Sequence, residues 1–200
     1  KGLTPNTRMG IGGILRKTFT DAAGYMAKQK AHARKIKKGG EPFAIDLKME
    51  AVARLLRREL PARCHAHRSV DMLTFMRVAD EFKFNFVFEH ATEVIDILDE
   101  LKRRKVPVII GPTMGGRGKV ELLHKGFATV ARAVEAGLTV AVTSDHNVLP
   151  LKYLPVYVAL AVREGLPGAD ALKTITINPA KILGLERELG SIERGKQAGL

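Results

Sequence analysis

Two histidines one residue apart, His65 and His67, a third at His90 and an aspartate at Asp145 are the side chains of this sequence best suited to hold a metal ion or move a proton. Two imidazoles and a carboxylate suit zinc or a similar borderline divalent cation, and three protein ligands leave a position for water. Such an ion lowers the pKa of bound water from ~15.7 to about 7, and a nearby carboxylate can then relay the proton. His65, His90 and Asp145 are therefore the candidate metal ligands, with Asp145 also the candidate catalytic residue. Along an extended strand the α-carbons of His65 and His67 lie ~6.6 Å apart, which is too far for both to grip one ion without distortion. His67, Arg68 and His146 are read instead as substrate-binding positions. Each of these residues alone also fits an ordinary hydrogen-bonded polar group at a strand end, and it is their joint placement that favours a site.

That placement depends on the elements around them. Apolar residues recur at helical spacing from Thr7 to Lys35, with Ile11, Leu15, Phe19 and Ala23 in one row, Ile14, Ala22 and Met26 beside it, and Thr7 as cap after Pro5. A second helix is predicted from Asp46 to Leu60, stopped by Pro61. From Pro61 onward, short strands alternate with helices. ARCHAH leads to a helix capped by Ser69 and faced by Val70, Leu73, Met76 and Ala79. FNFVFEH leads to a helix faced by Val94, Ile97, Leu98 and Leu101, and VPVII leads through GPTMGGRG to one faced by Val120, Leu123, Phe127 and Val134. LTVAVTSD leads to helices around residues 154–164 and 169–177. Strand–helix units in series imply a parallel sheet, because parallel neighbours need a crossover. Four such units are half of a (β/α)₈ barrel. His65, His90 and Asp145 all fall at carboxyl ends of strands, the edge where barrels and open parallel sheets build their sites.

Composition narrows the function classes. The longest apolar stretches, such as YLPVYVALAV, fall short of the ~20 residues of a membrane span. The single cysteine, Cys64, excludes an internal disulfide framework and points to a reducing, cytoplasmic compartment. It is read as a small core residue. The net charge of +12 resembles a nucleic-acid signal, but residues 1–40 hold ten Lys or Arg against one acid, whereas residues 41–200 hold 23 against 20. The basic run from Lys28 to Gly40 carries no aromatic residue for base stacking, so it is read as a solvated helix end and loop rather than a nucleic-acid interface. The expected partner is a small-molecule substrate, and homo-oligomerisation is compatible with the sequence. GPTMGGRG departs from the phosphate-binding P-loop pattern, with Arg117 and Gly118 where lysine and a hydroxyl residue should stand, and is expected to be a loop over the pocket mouth. Strand alternation that turns His65 inward also turns Arg63 inward, where it would need a carboxylate partner. His32 and His124 are expected to face solvent.

The stretches HAHR (65–68), FEHATE (88–93), TSDHNV (143–148), ITINPAKILGL (175–185) and GSIERGKQAGL (190–200), in that order, resemble the metal-dependent amidohydrolase superfamily. With TRMGIGGILRKTF and DLKMEAVARLLRRELP upstream, the similarity is to its imidazolonepropionase-like branch. The resemblance implies a (β/α)₈ barrel whose metal centre takes a His-x-His pair from the first strand, histidines from the fifth and sixth, and an aspartate from the eighth. His65, His90 and Asp145 match the last three. The fold expected is thus α/β, a partial TIM (β/α)₈ barrel of approximately strands 5 to 8 preceded by two helices. Residues 1–189 would form this partial barrel, and 190–200 would begin the return into a truncated small β-domain, with Gln197 and Gly199 replacing usual acidic residues. The chain would be a fragment lacking the first-strand His-x-His, whose intact parent hydrolyses a C–N bond in a small cyclic amide, amidine or peptide-like substrate. A non-catalytic half-barrel and a basic nucleic-acid-binding module through residues 1–40 are the alternatives.

Overall fold

The computed structural model describes residues 5–36 and 41–197. It divides into two compact units: the residues up to Ala62 together with Leu73–Phe86, and Arg63–Met72 together with Val87 onward.

The first unit is helical. Helix α1 spans Arg8–Ile36, and Thr7 Oγ1 accepts a hydrogen bond from Gly10 N at 3.0 Å, as its capping position predicts. The buried stripe of α1 is Gly12, Phe19, Ala22 and Tyr25, whereas Ile11, Ile14 and Ala23 face solvent. A strict four-residue row drifts by about 40° per step around a 3.6-residue helix, so the row beginning at Ile11 leaves the packed face. The Phe19 ring stacks on Phe84 at 4.4 Å between centroids. Helix α2 spans Leu47–Leu56, with Asp46 Oδ1 accepting from Lys48 N and Met49 N at its start. It ends four residues before the predicted Leu60, where the chain turns left-handed at Arg58 with φ of 59°. Polar contacts in this unit lie on the outside: Arg16 holds Glu81 through two hydrogen bonds of 2.6 and 2.5 Å, and Arg57 holds Glu50 and Glu59. The Gly39–Gly40 loop expected after α1 lies outside the described residues.

Helix α3 spans Ser69–Phe82, with Met76 and Ala79 buried but Val70 exposed. Four strands, β1 (Ala62–Ala66), β2 (Phe86–His90), β3 (Val108–Ile110) and β4 (Val140–Val142), form one sheet in that order. Hydrogen bonds from Ala62 N to Asn85 O and from Ala91 N to Ala66 O place β1 parallel to β2. The other pairs are also parallel, and His90, Ile110 and Val142 stand in one row at the carboxyl edge. All three β4 residues are buried, the signature of a strand covered on both faces.

The crossovers come from α4 (Leu98–Arg104), which follows a 3₁₀ turn at Val94–Ile97, and from α5 (Ala128–Glu135). Val94, Ile97 and Leu101 are buried, matching the apolar face read from sequence. The helix predicted after GPTMGGRG is broken: Val120–Leu122 is a 3₁₀ turn with Val120 and Leu123 exposed, and α5 begins only after Gly126, a poor helix former. Helix α6 spans Leu154–Arg163 with a proline in its first turn. The helix predicted over 169–177 is two pieces, α7 (Gly168–Lys173) and α8 (Ile177–Leu183). The break occurs where Thr174 turns its carbonyl to the sheet and accepts from Val142 N at 3.0 Å, while Asn178 Nδ2 donates to Val140 O at 2.9 Å. These two contacts satisfy β4 backbone groups outside its pairing with β3. Residues 190–197 form bends and turns, and Gly199 lies outside the described residues. Among the described residues, no helix is long and apolar enough to cross a membrane.

Candidate active site at the carboxyl edge of the sheet

A cavity of about 250 Å³ opens at the carboxyl edge of the second unit, and His65, His67, His90 and Asp145 all line it. The three imidazoles cluster, with ring centroids 4.2 Å apart for His65 and His90 and 5.0 Å for His67 to each of them. His65 and His90 therefore face the same side of the sheet.

The two candidate histidine ligands differ in how they are held. His90 is buried, and its Nδ1 lies 2.6 Å from the carbonyl oxygen of Gly111. A carbonyl can only accept, so Nδ1 carries the proton and Nε2 presents a lone pair, the tautomer a metal ligand needs. His90 and Ala91 both have positive φ, 67° and 41°, a conformation that non-glycine residues hold only where surrounding contacts enforce it. Gly111, whose carbonyl holds the His90 ring, is itself tightly placed. Its φ is 135°, and a Cβ there would run into the carbonyl oxygen of Thr143, so only glycine lets β3 and the chain after β4 approach this closely. His65 is solvent-exposed, and partial desolvation and the neighbouring His90 hold its pKa below the usual histidine range against the pull of Asp145.

His67, read as a substrate-binding position, lines the cavity and is nearly buried. Its side chain is 12% exposed, and Nδ1 lies 2.9 Å from Thr92 Oγ1. Burial, followed by the charges on His90 and His65, brings its pKa down to about 4, so the ring is neutral at physiological pH. Asp145 lies beyond the strand end expected for it, because β4 stops at Val142 and the aspartate occupies a turn with φ of 51°. Its backbone N–H donates to Thr143 Oγ1 at 3.1 Å, and Val148 N donates back to its carbonyl at 2.6 Å. Among the described residues, its carboxylate has no cationic partner within ion-pair distance.

Two of the predicted substrate residues lie elsewhere. Arg68 points to buried Glu93, with Nε 3.5 Å from Oε1, and His146 is exposed. Neither lines the cavity. Glu93 also accepts from Ser69 N and Oγ, tying the start of α3 to the chain after β2. Arg63 is not buried as alternation implied: its side chain is 58% exposed and pairs with Glu89 across β1 and β2. Cys64 is part-buried, and desolvation raises its thiol pKa to about 12, fitting an unreactive packing residue. His124 is exposed, as expected.

Thr92, Gly111 and Lys125 also line the cavity and went unrecognised in the sequence. Thr92 and Gly111 each follow a strand by one or two residues, a position that could have drawn attention to them. Lys125, in LLHKGF, reads like any lysine on a helix surface.

The donors suit a divalent cation in element, and His90 also in tautomer. Among the described residues, however, no three His, Cys, Asp or Glu side chains converge closely enough to hold an ion as they stand.

In the second unit, then, a parallel sheet gathers histidines and an aspartate at its carboxyl edge. The sequence profile of the amidohydrolase family matches residues 19–200, and the chain belongs to that family. A solved amidohydrolase structure from Thermotoga maritima MSB8 superposes with a TM-score of 0.92 at 46% identity, over 98% of this chain and 50% of that one. The amidohydrolase tasK of Hapsidospora irregularis is 27% identical over 98% of this chain and 21% of its own length. The imidazolonepropionase of Symbiobacterium thermophilum is 40% identical over 80 residues, 38% of this chain and 19% of that protein. Within the family the chain groups with the imidazolonepropionase-like branch. It spans about a fifth of the length of these two curated relatives.

Proposed function

We propose that this chain carries part of the active site of a metal-dependent hydrolase that cleaves a carbon–nitrogen bond in a small cyclic amide, amidine or peptide-like substrate. On this reading its sheet is the portion of a (β/α)₈ barrel equivalent to strands 5 to 8. The observation that carries the proposal is the meeting of His65 and His90, 4.2 Å apart, in one cavity with Asp145. Family membership supports the same reaction class.

His65, His90 and Asp145 would hold the cation, and their mixture of two imidazoles and a carboxylate favours zinc. A divalent cation, when bound, polarises the scissile carbonyl and makes water acidic enough to attack at neutral pH. The chain's own groups do the rest. His90, fixed through Gly111, presents Nε2 in a set direction. The Asp145 carboxylate, without a competing cation among the described residues, accepts the proton of the attacking water and returns it to the leaving nitrogen. His67, neutral and hydrogen-bonded to Thr92, offers Nε2 to the substrate. The partner on this reading is a small molecule rather than a nucleic acid or a membrane, in a cytoplasmic setting.

Zinc titration against a competing chelator tests the reading. Stoichiometric binding is expected, reduced by about 100-fold in His90→Ala and by about 10-fold in His65→Ala, because the buried ligand is already oriented and the exposed one is not. Zinc binding that is absent, or unaffected by both substitutions, overturns it. Where hydrolysis of a cyclic amide is detected, unchanged kcat in Asp145→Ala removes the proton role of that residue.

A further inference from the structure

We propose that Glu93, which lies outside the cavity, is a positioning residue of this site: its carboxylate gathers three of the chain segments at the carboxyl edge and so sets where His65, His67 and His90 stand relative to one another. The inference rests on reading the histidine cluster as the active site.

Glu93 is 6% exposed, and a carboxylate this deep is costly unless its oxygens are engaged. It opens the 3₁₀ turn Val94–Ile97, yet its side chain makes no capping hydrogen bond to that turn. It reaches instead to the chain after β1. Oε2 accepts from Ser69 N at 2.9 Å and from Ser69 Oγ at 3.2 Å. Oε1 lies 3.5 Å from Arg68 Nε and 3.8 Å from Nδ1 of His124, which precedes α5. The segments that follow β1, β2 and β3 thus meet at one side chain.

The residue at the start of α3 explains why the carboxylate comes from elsewhere. Arg68 occupies the capping position, its carbonyl accepting from Asp71 N and Met72 N, both at 3.1 Å. An arginine side chain has no acceptor to offer the open N–H groups of a helix start. Glu93 supplies that acceptor to Ser69 N and places negative charge at the favourable end of the helix.

The effect reaches the cavity through His67. Ala91 N donates to Ala66 O at 3.0 Å and Glu93 N to His67 O at 2.8 Å, so the chain after β1 runs alongside the chain after β2. The His67 ring is held by Thr92 Oγ1 at 2.9 Å from its Nδ1, while the Glu93 carboxylate anchors the two residues that follow. That ring stands 5.0 Å from those of both His65 and His90. Removing the carboxylate frees the turn at Arg68 and Ser69, and His67 moves with it.

NMR of the metal-free protein tests this through two signals: the His67 Nδ1 resonance, which reports the contact with Thr92, and the cross-peak between the rings of His65 and His90. Glu93→Ala should shift the first and weaken the second. Glu93→Gln, which keeps one accepting oxygen for Ser69 N, should restore most of both. Val106→Ala, which opens space in the core before β3, is the destabilised control and should leave both signals as in the wild type. Wild-type signals in Glu93→Ala, no rescue by glutamine, or the same changes in Val106→Ala overturn the proposal. If Glu93→Ala does not fold, Ser69→Pro decides, because proline is accepted at the first position of a helix and removes both Ser69 donors. The same direction of change is then expected, and unchanged signals overturn the assignment. Because both signals are read without metal, absent zinc binding with the expected shifts sinks only the hydrolase reading. Zinc binding in the wild type with unmoved histidine signals in Glu93→Ala sinks only the role of Glu93.

Discussion

The polar residues of the helical unit and those at the sheet edge obey different rules. In the first, Arg16–Glu81, Lys17–Asp21 and Arg57–Glu50 are paired at the surface, each group beside its opposite charge and close to water. At the sheet edge, His67, His90 and Lys125 are buried or nearly so, His90 and Asp145 hold left-handed backbone, and among the described residues Asp145 and Lys125 have no ion-pair partner. Surface pairs contribute little and are readily replaced. Strained and desolvated groups reduce stability, and a fold retains them where the arrangement itself is used. The contrast separates residues that hold this chain together from residues the chain is arranged to present.

Gly111→Ala should break that contrast most severely. The added methyl collides with the Thr143 carbonyl at a φ that L-residues avoid, and relief requires β3 and the chain after β4 to part. We expect a loss of about 3 kcal/mol or more in urea unfolding, or no folded second unit at all. The His90 ring resonances should also shift, because the carbonyl that orients them moves. A variant that unfolds like the wild type with unchanged His90 resonances would show that the edge is not held by this contact.

A smaller effect, specific to the sheet edge, comes from His67. Its folded-state pKa of about 4 lies below the 6.5 of an unperturbed histidine, so the unfolded chain takes up this proton first as the pH falls. The stabilisation from keeping the ring neutral is complete above pH 6.5 and is lost progressively between 6.5 and about 4. His65, whose pKa is also lowered, acts in the same direction. The drop in unfolding midpoint from pH 7 to pH 5 should be smaller in His67→Gln than in the wild type, measured without metal. Identical drops would place His67 in water rather than against Thr92.

The same contrast accounts for what could be read from residues alone. The four strands and the buried faces at Val94, Ile97 and Leu101 follow from local periodicity, because a strand covered on both faces and a helix packed on one leave their pattern in neighbouring residues. The grouping of His65, His90 and Asp145 was legible because carboxyl ends of parallel strands share an edge. Lys125 was not legible. Nothing near it in sequence differs from an exposed lysine, and its burial arises from Gly115 and Gly116, about ten residues away, folding over it. The phase of α1 was only partly legible: Phe19 and Ala22 are buried as the pattern predicts, but Ile11, Ile14 and Ala23 are not, and it is Phe84, distant in sequence, that packs on the face carrying Phe19. Asp145 was assigned to a strand because TVAVTSD alternates, whereas Thr143 Oγ1 captures the Asp145 N–H and turns the chain first.

The smallest effect sharpens the comparison from the other unit. Asp46 caps α2 by accepting from Lys48 N and Met49 N at 2.9 and 3.1 Å, contacts that satisfy two otherwise unpaired donors without strain. Asp46→Ala should cost about 1 kcal/mol in urea unfolding, and Asp46→Asn, which keeps the accepting oxygen but drops the charge, should recover most of it. Zinc affinity should be unchanged in both variants. If Asp46→Ala altered it, the helical unit would be acting on the sheet edge, and the division between residues that stabilise and residues that are presented would fail at its simplest point.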